Sequence, residues 1–203
     1  MREQDDELNV EADHDNDRAT IVDYDKPRNI VDEYAWMSNE AILRDLADKR
    51  HNFSVLLCNI KRDINIGSVI RSHATFLGQE ILLYGHKRFN RVSCVGTYAI
   101  SIIEHLKYVD EIDPVLSRYD EVIGCDFIAG RSENLWESRF DYNKKTLFCF
   151  GHESDGIPPE LLARCHRVLH IPMFGATKSF NVAVSAALVM NEYVRGLHQG
   201  KSE

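Results

Sequence analysis

Apolar residues in this chain fall into two rhythms that alternate from residue 36 onward. Segments 53–60, 80–84, 121–127, 146–150 and 167–171 read as strands, and the first, a short and nearly unbroken apolar run, fits a strand buried on both faces. Between them lie stretches with helical spacing. In 39–49, Ser38 is a candidate N-cap, and Ile42, Leu43 and Leu46 share one face. In 66–77 the stripe runs through Ile66, Val69, Ile70, Phe76 and Leu77, with Gly78 as the stop. Pro158 and Pro159 open a short helix to residue 163, since proline is tolerated in a first turn. The last helix, 181–197, is apolar on nearly every side, which predicts that it meets a second subunit as well as its own core. Strands alternating with helices predict an α/β fold with a mainly parallel sheet flanked by helices.

The first 35 residues do not share this pattern. They hold twelve acidic against four basic residues, which accounts for the whole formal charge of −8 and leaves the remainder neutral. So little apolar surface cannot offset ordering entropy, so residues 1–35 read as an acidic, disordered tail and 36–203 as one domain. The chain opens without a basic segment followed by an apolar core, and no apolar run is long enough to span a bilayer. The expectation is a cytoplasmic protein without a membrane partner. Five scattered cysteines, none at Cys-x-x-Cys spacing, predict reduced thiols and no metal. His166 and His170 would share a strand face about 13 Å apart, too far to hold one ion.

Three segments that carry chemistry each follow a predicted strand, where ligands of open α/β sheets bind. The first runs from Asn59 to Arg71. In it Asn65 is placed to cap the helix, Gly67 permits a close approach, and Arg71 lies off the apolar stripe. The planar donors of Arg71 match phosphate oxygens, although an exposed helical arginine is the plainer reading. The second, Gly151-His152-Glu153-Ser154-Asp155-Gly156-Ile157, brackets a carboxylate between two glycines. His152 reads as a loop residue rather than a base. The third runs from Ile171-Pro172-Met173 through Ser179-Phe180-Asn181-Val182 into the last helix, whose free N–H groups favour a polar or anionic ligand. Thr177 stands before Lys178 where a phosphate loop needs glycine, and no Gly-x-Gly-x-x-Gly occurs, so neither nucleotide motif is present.

In order and spacing, Asn65-x-Gly67-x-x-x-Arg71, Gly151-x-Glu153-x-x-Gly156-Ile157 and Ile171-Pro172-Met173 followed by Ser179-x-Asn181-Val182 resemble the three motifs of the SpoU (TrmH-like) branch of the SPOUT methyltransferases. The resemblance covers roughly residues 36–196 and extends to the stretch from Lys87 through Tyr98. It implies a C-terminal deep trefoil knot, S-adenosyl-L-methionine as cofactor, and a homodimer formed through the knot helices. It implies cofactor contacts at Gly151, Ile171, Met173 and Phe180, and a catalytic set of Asn65, Arg71, Glu153, Ser179 and Asn181. Phe180 stands where leucine is common, and Ala183 where serine is common.

The implied reaction is methylation of a ribose 2′-hydroxyl in tRNA or rRNA. Arg71 would act as a perturbed base or as a clamp on phosphate and ribose, with Glu153 and Asn65 orienting it and Ser179 and Asn181 holding the loop and the target. Lys61, Arg62, Lys87, Arg88 and Arg91 are the candidate RNA-binding cations, with Phe89 placed to stack on a base. The acidic tail is then either plain solvated chain or a strip that competes with RNA. Two other readings stay open: a knotted RNA-binding protein without activity, and a SPOUT enzyme directed at a base nitrogen.

Overall fold

The computed structural model describes residues 29–85 and 89–200. Seven strands form one sheet: β1 (Phe53–Cys58), β2 (Ile81–Tyr84), β3 (Ile103–Leu106), β4 (Glu121–Cys125), β5 (Ser132–Asn134), β6 (Thr146–Phe150) and β7 (Arg167–His170). Their spatial order is β3-β2-β1-β6-β4-β7-β5, and every pairing is parallel. The two latest strands enter between earlier ones, β6 between β1 and β4, and β7 between β4 and β5. Among the described residues five α-helices accompany the sheet: α1 (Asn39–Leu46), α2 (Asp63–Thr75), α3 (Ile112–Leu116), α4 (Pro159–Leu162) and α5 (Val182–Gln199).

The unbroken apolar runs follow from burial on both faces. Alternate residues of β1 and β6 point to opposite sides of the sheet. Phe53, Val55, Leu57, Phe148 and Phe150 join Ile66, Ile70, Val189 and Tyr193 of α2 and α5 in one core. Leu56, Cys58, Leu147 and Cys149 join Val115 and Leu161 of α3 and α4 in the other.

Several expected boundaries move. Ser38 caps α1 as expected, its hydroxyl accepting from the Ala41 N–H at 3.2 Å. Helix α2 begins three residues before position 66, so Asn65 lies inside its first turn and is not the cap. Leu77, with φ 57°, supplies the left-handed residue after α2. A methyl group on Gly67 would stand 1.9 Å from Ser93 Oγ and 2.7 Å from the Ser93 backbone carbon. Gly67 therefore admits the 3-10 turn Arg91–Cys94 against α2, and its close neighbour is this protein's own backbone rather than a ligand. Strands β3 and β5 and helix α3 have no counterpart in the expected pattern. Of the acidic segment, residues 1–28 lie outside the described residues; Asp32–Tyr34 form a 3-10 turn, and the Tyr34 hydroxyl donates to Asp45 at 2.6 Å.

Candidate active site

The carboxyl ends of β4, β6 and β7 open into a cavity of about 400 Å³. Gly151, Ile171, Met173 and Phe180 all line it, so the loops after β6 and β7 bring the four expected cofactor contacts to one place. Gly151 is there for a steric reason. A Cβ on it would lie 2.0 Å from the backbone carbon of Gly156, and the turn closes through paired backbone bonds between His152 and Gly156, 2.9 Å each way. His152 completes that turn: its Nδ1 accepts from the N–H groups of Ser154 and Asp155, both at 3.2 Å. It is a buried turn organiser, a role its position in the motif did not reveal.

The segment after β7 is extended loop until Asn181 caps α5, its Oδ1 accepting from the Ala183 N–H at 2.9 Å. Among the described residues, no backbone N–H from 173 to 180 enters a backbone hydrogen bond. Open amides beside a cavity walled by apolar residues such as Leu135, Phe150 and Val189 and by polar ones such as Asp126 and Ser179 suit a ligand with a charged, hydrogen-bonding end and a flat apolar end. The residues present therefore fit S-adenosylmethionine.

Beside the cavity, side-chain hydrogen bonds tie three distant segments together. Asn181 Nδ2 donates to Asn65 Oδ1 at 3.0 Å, and Asn65 Nδ2 donates to Glu153 Oε1 at 2.8 Å. The Lys61 N–H reaches Glu153 Oε2 at 3.4 Å. Desolvation disfavours the Glu153 carboxylate, but the backbone N–H groups of its own turn and of Lys61, with Asn65, outweigh it and hold the group below its ordinary range. Glu153 is thus an ionised acceptor fixed from both sides.

Ser179 lines the cavity. Arg71 stands apart: it is exposed, and among the described residues its guanidinium has no hydrogen-bond partner. Neither Glu153 nor Asn65 hydrogen-bonds the Arg71 guanidinium within this chain. Six positions along α2 turn Arg71 about 120° away from Asn65, and Asn65 is already shared between Glu153 and Asn181.

Of the expected RNA-binding cations, Lys61 and Arg62 are exposed just before α2, and Arg91 is exposed with its guanidinium 4.0 Å over the Tyr98 ring. Lys87 and Arg88 lie outside the described residues. Phe89 is half-buried, packing one side against the core and against Tyr98, 6.0 Å between centroids. All five cysteines are free thiols. Among the described residues no cluster of His, Cys, Asp and Glu is arranged to hold a metal, and no helix is long and apolar enough to cross a membrane. The His166 Nδ1 instead accepts from the Val122 N–H at 2.9 Å.

Comparison with known proteins matches this architecture. An uncharacterized tRNA/rRNA methyltransferase of Mycolicibacterium gilvum is 28% identical over 173 residues, 81% of this chain and 54% of its own length. The chain thus spans about half of that relative. A tRNA (guanosine(18)-2′-O)-methyltransferase of Aquifex aeolicus is 25% identical over 160 residues, 75% of this chain and 74% of its own. The crystal structure of the SpoU methyltransferase AviRb of Streptomyces viridochromogenes with AdoMet superposes with a TM-score of 0.65 at 23% identity, over 76% of this chain and 61% of that one. The model of the SpoU rRNA Methylase family matches residues 52–191, the span that carries the sheet, the cavity and the Asn65–Glu153–Asn181 network, and the chain belongs to that family.

Proposed function

We propose that this protein is an S-adenosylmethionine-dependent RNA 2′-O-ribose methyltransferase acting on tRNA or rRNA. The observation that carries the reading is the cavity lined by Gly151, Ile171, Met173 and Phe180 lying against the Asn65–Glu153–Asn181 network. When bound, S-adenosylmethionine supplies a methyl group on a positively charged sulfur. The ribose hydroxyl is a poor nucleophile and loses its proton as its oxygen gains the methyl carbon, so this chain's contribution is alignment and help with that proton. Glu153 is a fixed negative acceptor at the cavity edge. Ser179 and Asn181 set the course of the loop that borders it. Arg71 serves as a phosphate clamp: its planar fork of donors matches phosphate oxygens, and among the described residues nothing else occupies it.

The same reading includes a homodimer and a C-terminal knot. Between α2 and α5 runs a groove bordered by Ile64, Ser68, Ala183, Val184 and Leu188. Ile64 is 64% exposed, Val184 45% and Leu188 38%, so an apolar strip beside the catalytic network is left uncovered. A second copy docked there would cover it.

The test is methyl transfer from labelled S-adenosylmethionine to RNA lacking the modification, followed by nucleoside analysis. We expect a 2′-O-methylnucleoside from the wild type. For Arg71→Ala we expect loss of transfer with cofactor binding retained in calorimetry. Label on a nucleobase, or no transfer and no cofactor binding, overturns the reading; near-normal turnover in Arg71→Ala removes Arg71 from it.

A further inference from the structure

Three neighbouring strand ends each present an exposed aromatic ring: Phe127 after β4, Trp136 after β5 and Phe174 after β7. Phe127 is braced edge-on by His170, 5.4 Å between centroids. Trp136 and Phe174 stack on one another, with centroids 5.8 Å apart and planes 26° from parallel. They are 58% and 85% exposed, and neither belongs to a hydrophobic core.

Their position explains what such a pair is for. The residues beside them in sequence, Leu135 and Met173, line the cavity, whereas the two rings themselves do not. The pair is therefore a rim, facing whatever approaches the cavity from solvent. The loop 171–181, which carries Phe174, holds Lys178 and no carboxylate, although Asp126 and Glu153 line the cavity behind it. The carboxylate nearest in sequence, Glu137, is turned back to accept from Asn134 Nδ2 at 3.1 Å. Two nearly parallel rings with an open outer face offer a flat surface the size of a nucleobase, and stacking needs a base that is not paired.

We propose that Trp136 and Phe174 form a stacking platform for an unpaired base of the RNA substrate, next to the nucleotide that enters the site. The inference rests on the RNA-methyltransferase reading for its ligand class and gives that substrate a chemical requirement: a loop or single strand at the modified position.

The test uses the full chain with Trp36→Phe, which leaves Trp136 as the single indole. Uridine and adenosine homo-oligonucleotides are titrated singly and as the annealed duplex while indole emission is followed. Each single strand should quench Trp136, the duplex should not, and Phe174→Ala should weaken single-strand binding about tenfold. Equal quenching by the duplex, no quenching, or unchanged affinity in Phe174→Ala overturns the platform. Quenching by S-adenosylmethionine alone, with cofactor affinity lost in Phe174→Ala, overturns it by assigning the rings to the cofactor. Methyl transfer measured in parallel separates the two claims. Quenching without transfer removes the enzymatic reading and keeps the platform, and transfer with silent Trp136 does the opposite.

Discussion

Asn65 shows how a residue's surroundings, rather than its local spacing, decide what its side chain does. Its type and spacing suggested a helix cap, yet its amide is buried and spent on Glu153 and Asn181, which lie far away in the chain. Nothing local in a sequence reports a contact between residues so widely separated. His73 is a second residue whose environment decides its behaviour. Full burial first, and the Arg50 charge second, hold its imidazole down to about 3. In the unfolded chain a histidine titrates near about 6.5. Below that pH the unfolded state takes a proton that the native state refuses, so this group's contribution to stability falls by up to about 1.4 kcal/mol per pH unit until the native pKa is reached. Urea unfolding at about pH 7 and about pH 5 should show this loss, and a smaller one in His73→Leu, whose own stability at neutral pH serves as the reference. An equal pH slope in both proteins would exclude His73 as a source.

Among the elements, α2 yields the sharpest expectation. An exposed helical glycine changed to alanine normally stabilises by up to about 1 kcal/mol. Gly67→Ala should do the reverse, costing about 1–3 kcal/mol, because the new methyl group meets Ser93 backbone and must displace the turn Arg91–Cys94. Thermal melts give the sign, and faster amide exchange across residues 90–98 would locate the damage. A stabilised variant would mean the turn yields freely. The elements legible in the sequence are those whose pattern matches their burial: β1 and β6 are buried at every position, and α5 starts one residue after Asn181, its expected first residue, which caps it instead. Those that escaped notice are short and at the margins. β5 is only Ser132–Asn134, a polar edge strand, and β3 is an edge strand with one buried residue. Pairing partners rather than side-chain preference define both, and partners are invisible until the sheet exists. The same holds for the site: its three motifs were readable as residue types, while the isolation of Arg71 and the rim of Trp136 and Phe174 depend on how helices and loops face one another.

At the scale of the whole molecule, the uncovered strip on α2 and α5 makes self-association measurable. Leu188→Glu places a charge in that groove; if the proposed dimer forms there, sedimentation should find a dimer for the wild type and a monomer for the variant, with the variant's melt shifted downward by the lost partner. A wild type that sediments as a monomer would rule out the dimer itself. A second consequence follows from β6 sitting at the sheet's centre while being nearly the last strand made. Phe53 must wait for Thr146, and Glu121 for the same residue, before β1 and β4 have neighbours on that side. At about 5–20 residues per second on the ribosome, the open edge of β1 stays uncovered for several seconds, and all of its residues but Ser54 are apolar. Newborn copies of this protein are consequently at their most adhesive midway through synthesis, and the yield of folded molecules should depend more on chaperone supply and translation speed than on the stability of the finished chain.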